Sequence, residues 1–218
     1  MGTHQQVAGA HECGQTETEH RLKEREAARR AQILEAVTQV VDEHGIDGVT
    51  MRRVAERARV SVGMLTYYYA SKRELIFDAL TEANDRRHKQ RRAIGGEQSN
   101  PRRMAAYFEV AFSEEPGSQD WAFTLQTWAQ ATRDPEMRKY IVDRFVEGRQ
   151  SMADHLRAGM EAGAVRADLD PEAMAELFIA VRDGLGVEVA LEADDVTRAR
   201  ARKLAEIFLL LLKPCPDS

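Results

Sequence analysis

The stretch TMRRVAERARVSVGMLTYYYASKREL, residues 50–75, holds three helix starts in close succession. Thr50, Ser61 and Ser71 each carry a side-chain oxygen that accepts from a free N–H at a helix N-terminus. Ser71 with Glu74 three residues on reads as a capping box. Between these starts, Val54, Ala55 and Ala58, then Leu65 and Tyr68, supply apolar positions for two short helices. A pair of short helices joined by a tight turn, after one longer helix, is a helix-turn-helix pattern. Small Ala55 permits a close crossing, and Val54, Val60 and Leu65 fill the corner. An ordinary helical hairpin has the same spacing, so spacing alone leaves both readings open.

Working outward, Ile33, Val37, Val40 and Val41 recur at i, i+4, i+7 and i+8, which predicts a helix over roughly 26–44 that stops at Gly45. Downstream, Leu75, Ile76, Ala79, Leu80 and Ala83 predict a fourth helix running into RRHKQRR (86–92) and breaking at Gly95-Gly96. A domain boundary is placed around residues 93–99. The expected division is a flexible tail over 1–24, a helix-turn-helix domain over 25–92 and a larger helical domain over 93–218. In the latter, Trp121, Leu125 and Trp128 share one face of a helix near 118–132. Asp134-Pro135 and Asp170-Pro171 start two long helices, with proline where its missing N–H costs nothing. A last helix carries Leu204, Ile207, Phe208 and Leu211 and ends at Pro214. No segment alternates with period two for long, so the fold class is all-α.

Composition narrows the function. The chain of 218 residues is 43% hydrophobic and 31% charged, which suits a globular helical protein. No apolar run approaches the ~18 residues of a membrane span, and the polar first twenty residues lack a signal peptide's apolar core. A cytoplasmic protein without a membrane partner is expected. Cys13 and Cys215 form no disulfide framework. No Cys/His metal spacing, phosphate-cradling glycine loop or nucleophile with a placeable base is present, so no catalytic residue, cofactor or metal is expected. The His4, His11, Cys13 and His20 scatter reads as tail. The net charge of −5 is uneven: residues 21–92 carry 16 Lys/Arg against 11 Asp/Glu, residues 93–218 carry 15 against 22. A basic N-terminal part that meets a polyanion explains this, and so do unevenly solvated faces. The run RLKEREAARR (21–30) is ambiguous in the same way, though its interleaved glutamates favour a solvated helix face.

Residues 29–76 resemble the DNA-binding domain of the TetR family of bacterial transcriptional regulators. The resemblance is carried by Gly45; Thr50, Val54, Ala55 and Ala58; Val60, Ser61, Gly63, Leu65, Tyr68 and Tyr69; and Ser71, Lys72 and Leu75. The string AGAVRADLDPEAMAELFIAVRDGLGVE is similar to regulatory domains near the choline-responsive BetI branch. Two departures stand out. Arg59 occupies a turn where the family usually has glycine, at a strain of order 1 kcal/mol if the backbone is left-handed. Tyr69 replaces the usual phenylalanine, so its hydroxyl needs a partner.

The resemblance implies a homodimeric repressor that reads double-stranded DNA at a palindromic operator and is released by a small-molecule effector. By it, Thr50, Tyr68 and Lys72 hold phosphates and Tyr69 belongs to the core. Arg52 is placed to reach a base edge, and Ser61, Val62, Gly63, Thr66 and Tyr67 complete a major-groove surface. For Val62 and Met64, packing at the helix edge fits as well as contact with thymine methyls. Tyr107, Phe108, Trp121, Trp128, Phe145 and Arg182 are candidates for a ligand pocket that takes an apolar or cationic molecule. Core packing explains the same aromatics. Gly184, Gly186 and the run Phe208–Leu212 suit a dimer interface or closure of the monomer core. The same parts serve a ligand-dependent activator, and a helical small-molecule carrier or enzyme with a vestigial N-terminal domain is the rival from another class.

Overall fold

The computed structural model describes residues 8–96, 100–114, 120–192 and 197–214, with side chains from His20 onward and Pro101 excepted. Nine helices and no strand are found among the described residues: α1 Ala8–His44, α2 Met51–Arg57, α3 Val62–Tyr68, α4 Lys72–Gly95, α5 Pro101–Phe112, α6 Trp121–Ala131, α7 Pro135–Glu161, α8 Pro171–Ala190 and α9 Arg198–Leu210. Packing divides the chain into Met1–Ala79 and Leu80–Ser218.

In the first unit, the caps read from the sequence set the helix starts. Thr50 Oγ1 accepts from the Arg53 N–H at 3.2 Å and Ser61 Oγ from the Met64 N–H at 3.0 Å. Ser71 Oγ accepts from the Glu74 N–H at 3.1 Å, while the Glu74 carboxylate accepts from the Ala70 N–H at 2.8 Å. Gly45, at φ 71°, closes α1 with an N–H bond to the Val41 carbonyl. The core is built from Ile33, Val37 and Val41 of α1, Val54 and Ala55 of α2, Leu65 of α3 and Leu75 of α4, all essentially inaccessible.

The turn after α2 is a Schellman motif: the Val60 N–H reaches the Ala55 carbonyl at 2.9 Å and the Arg59 N–H the Glu56 carbonyl at 3.2 Å. That geometry needs a left-handed residue, and Arg59 supplies it at φ 52°. Gln32 Nε2 braces the turn from α1 by donating to the Ala58 carbonyl at 2.7 Å.

In the second unit, α7 packs on α8, α5 on α7 and α9, and α6 on α7 and α8. Phe108 meets Phe178 at 4.4 Å between ring centroids, and Trp121 stacks on Phe112 at 5.9 Å. Gly186 sits under the indole; a Cβ there would lie 2.3 Å from it. Gly184 has open space around it. Its neighbour Gly186 therefore serves the core, and only Gly184 is left to let a further helix approach.

Three expectations change. Helix α1 begins at Ala8, so residues 8–24 are helical where a tail is expected; residues 1–7 lie outside the described residues. With Gly9, Gly14, Thr16 and Thr18 and no apolar stripe, neither propensity nor periodicity predicts a helix there. The division between units falls inside α4, at Ala79/Leu80, not near residue 93. A continuous helix shared by two units leaves no break in the sequence, whereas Gly95-Gly96 only ends the helix. On α6, Trp121, Thr124, Thr127 and Ala131 form the buried face, and Leu125 is only half-buried. The threonine hydroxyls donate back to helix carbonyls, Thr124 to Asp120 at 2.6 Å and Thr127 to Thr124 at 2.7 Å, which lets polar residues enter the core.

Candidate nucleic-acid interface and a basic cavity

Leu65 is the one fully buried side chain of α3. With it turned inward, Ser61, Val62, Gly63, Met64, Thr66 and Tyr67 are all exposed, and Tyr67 is 83% accessible. A seven-residue helix anchored by one leucine presents most of its surface outward. Thr50 and Ser61 spend an oxygen lone pair on capping, which leaves each hydroxyl proton available to a phosphate. Thr66 Oγ1 donates to the Gly63 carbonyl at 3.0 Å.

The three consecutive tyrosines diverge as helical geometry requires. Tyr69 is buried, and its hydroxyl donates to Asp78 Oδ2 at 2.6 Å. Burial, then the Asp78 carboxylate, pushes its phenol well above the usual range. Arg30 Nε donates to the same carboxylate oxygen at 3.0 Å, so a network from α1 to α4 fixes the end of α3. Tyr68 is half-buried and meets the Tyr67 ring edge-on at 5.4 Å. Lys72 Nζ lies 3.5 and 3.4 Å from the Ile46 and Asp47 carbonyls, at the start of α4. Arg52 is exposed and donates from Nε to Glu56 at 2.9 Å, one turn along α2.

The second unit holds a cavity of about 120 Å³. Of the sequence candidates, Tyr107, Trp128, Phe145 and Arg182 line it. Phe108 and Trp121 do not: Phe108 is packed among Phe112, Phe178 and Phe208, and the Trp121 indole N–H donates to the Ala111 carbonyl at 2.8 Å. Arg87, His88, Arg91 and Arg144, absent from the sequence-based candidates, line the same space. A signal was present. Leu80, Asn84, Arg87 and Arg91 continue the inward stripe of α4 at i, i+4, i+7 and i+11.

This redistributes the charge. The run RRHKQRR (86–92) has five Lys/Arg and no acid, which accounts for the whole basic excess of residues 21–92. Two of its arginines face the cavity of the second unit, so the uneven charge is no signature of the DNA face. Arg91 is only 7% exposed, its Nε has no hydrogen-bond partner, and its guanidinium lies 4.3 Å from the Tyr107 ring centroid. Burial, with Arg91 and Arg182 nearby, pulls the Arg87 guanidinium down to about 9. Arg91 is brought to about 10, chiefly by burial. Both stay charged at neutral pH. Burial, then Arg91 and Arg87, holds His88 down at about 4, so it is neutral there.

Among the described residues no group of three His, Cys, Asp or Glu could hold a metal ion, and no helix is long and apolar enough to cross a membrane. His4 and the side chains of His11 and Cys13 lie outside the described residues, as does Cys215; His20 contacts Glu24 at 3.2 Å. Exposed Leu177, Leu191, Ile207, Leu210 and Leu211 lie on and just after α8 and α9, while Phe208 and Leu212 turn inward.

Residues 33–79 match the family model of bacterial regulatory proteins, tetR family, and residues 101–212 match that of the BetI-type transcriptional repressor, C-terminal. The HTH-type transcriptional regulator BetI of Paraburkholderia phytofirmans is 28% identical over 195 residues, covering 84% of this chain and 93% of the relative. The HTH-type transcriptional repressor KstR2 of Mycobacterium tuberculosis is 29% identical over 144 residues, covering 66% and 72%. A transcriptional regulator from Saccharomonospora viridis, solved in complex with choline, has the same fold, with a TM-score of 0.74 at 22% identity over 84% of this chain and 96% of that one. Proteins of this family are transcriptional regulators and not enzymes; dimerisation and release by ligand are typical of them. The chain belongs to the TetR family of bacterial regulatory proteins, with a BetI-type C-terminal region, and is a DNA-binding transcriptional regulator.

Proposed function

We propose that the chain is a homodimeric repressor, acting in the cytoplasm, that leaves a palindromic operator when a small molecule fills the cavity of the second unit. The observation that carries this is the outward surface of α3, from Ser61 to Tyr67, with only Leu65 turned inward. In this reading α3 lies in the major groove, with Ser61, Val62, Gly63, Thr66 and Tyr67 toward the bases. Thr50, Tyr68 and Lys72 hold phosphates, and Arg52 exchanges Glu56 for a base edge. One such helix reads few base pairs, so two copies would bind half-sites about 34–36 Å apart, or a multiple of that. The exposed leucines of α8 and α9 and the open Gly184 support pairing through those helices.

Helix α4 connects binding to sensing in this proposal. It starts at Lys72 and carries Arg87 and Arg91 to the cavity. A ligand that binds better when α4 is displaced shifts the population toward that state and spoils half-site spacing. Transcription in vitro from the promoter upstream of the chain's own gene tests the sign. Rising protein should silence the promoter. Stimulation would make the chain an activator, and no effect alongside no gel shift on that DNA would sink the regulatory reading of this site.

A further inference from the structure

We propose that the effector is a small organic anion, a carboxylate or phosphate on an apolar body about the size of one aromatic ring. This rests on the reading of the cavity as the effector site. Four arginines line it, Arg87, Arg91, Arg144 and Arg182, against one carboxylate residue, Glu147. Arg182 has its carboxylate in Asp183, at 2.8 Å from Nε, and Arg144 is paired with Glu147, which is more than half exposed. Arg87 and Arg91 have no carboxylate partner among the described residues. Arg91, buried and without a carboxylate partner, is a costly arrangement, and with half-buried Arg87 beside it the cavity favours an anionic ligand.

The geometry specifies more than a sign. Arg87 and Arg91 are one turn apart on α4, about 6 Å along its axis, so one oxyanion can accept from both. The Tyr107 ring holds the Arg91 guanidinium flat from one side, which pre-organises its fork for planar, bidentate contact. Nε of Arg91 and of Arg144 are both buried and lack a partner. Phe123, Trp128, Ile141 and Phe145 also line the cavity and give it apolar surface. At about 120 Å³ the space is near the ~150 Å³ that accommodates a benzene ring. Aromatic walls alone would equally suit a quaternary ammonium; the unpartnered arginines repel one. After burial, the neighbouring guanidinium groups are the next causes of the lowered Arg87 and His88 values.

Calorimetric titration of the full chain with four probes tests this: benzoate, phenyl phosphate, benzyltrimethylammonium and choline. Benzoate or phenyl phosphate should bind at least about tenfold more tightly than either cation, the size of a charge-assisted contact. Arg91→Met should weaken anion binding about tenfold or more and raise the thermal midpoint of the unliganded protein, because it removes a buried unpaired charge. Arg87→Met serves the same purpose if Arg91→Met folds poorly. Preference for a cation, or anion binding indifferent to both substitutions, overturns the anion inference and leaves the effector-site reading standing. Binding of none of the four overturns both.

Discussion

The helix-turn-helix and the cavity of the second unit treat their arginines in opposite ways. On the helix-turn-helix, Arg52 pairs with Glu56, Arg57 with Glu43 and Arg30 with Asp78, all with at least one partner well exposed. The Arg52–Glu56 and Arg57–Glu43 pairs are water-screened and contribute little to stability, while Arg30–Asp78 belongs to the network around the Tyr69 hydroxyl. In the cavity, buried Arg91 and half-buried Arg87 have no carboxylate partner among the described residues. The proposed DNA face is made ready by shape, through one short helix with its surface turned outward. The cavity is made ready by unbalanced charge, in a domain whose sequence is acidic overall.

The contrast can be broken at several points. Leu65→Ala should have the largest effect, since Leu65 is the one fully buried side chain of α3. A loss of about 2–5 kcal/mol is expected, read by chemical denaturation, with DNA binding lost and anion binding kept. Equal loss of both would show that the two regions do not fold independently. Arg52→Ala should remove about 1–3 kcal/mol of discrimination at one operator position and leave the other positions unchanged. A binding-site selection experiment reads this directly, and uniform weakening on all sequences would remove Arg52 from the base-reading set.

The cavity side has a pH signature. His88 and His155 are both held down at about 4, by burial first and then by Arg91 and Arg87 for His88, and by Arg103 for His155. The unfolded chain binds these protons near the ordinary histidine value of ~6.5. Their contribution to stability is therefore full above about pH 6.5 and is lost as pH falls toward 4, with proton uptake on unfolding. Melting curves across that window check the sign, and a double His88→Gln, His155→Gln variant should flatten the slope. An anion in the cavity should raise the His88 value, visible by NMR. The smallest effect belongs to the turn: Arg59→Gly should stabilise by roughly 0.5–1 kcal/mol, since it relieves a left-handed arginine, without altering anion binding.

Much of the first unit was legible because its determinants are local. Thr50, Ser61 and Ser71 cap within three residues of themselves, and the divergence of Tyr67, Tyr68 and Tyr69 follows from helical geometry alone. The anomaly at Arg59 was legible too, since a Schellman turn imposes its backbone whichever residue occupies it. The cavity was harder to see. Trp121 and Phe108 look like pocket aromatics by composition, but Gly186 lets Trp121 sink against α8, and a tertiary contact of that kind has no sequence signature. Arg87 and Arg91 lie in a run of five cations that reads as a solvated or DNA-facing stretch. Extending the stripe of Ile76, Leu80 and Ala83 by two more turns would have turned them inward.

The most direct test of the central claim compares affinities on two duplexes. Fluorescence anisotropy should be measured for the full chain on the DNA upstream of its gene and on a shuffled duplex of the same composition, across a salt series. The account predicts that the native duplex binds tighter by about 10³-fold or more, and that Lys72→Ala lowers the salt slope by about 1. Equal affinity for both duplexes at every salt concentration would contradict it.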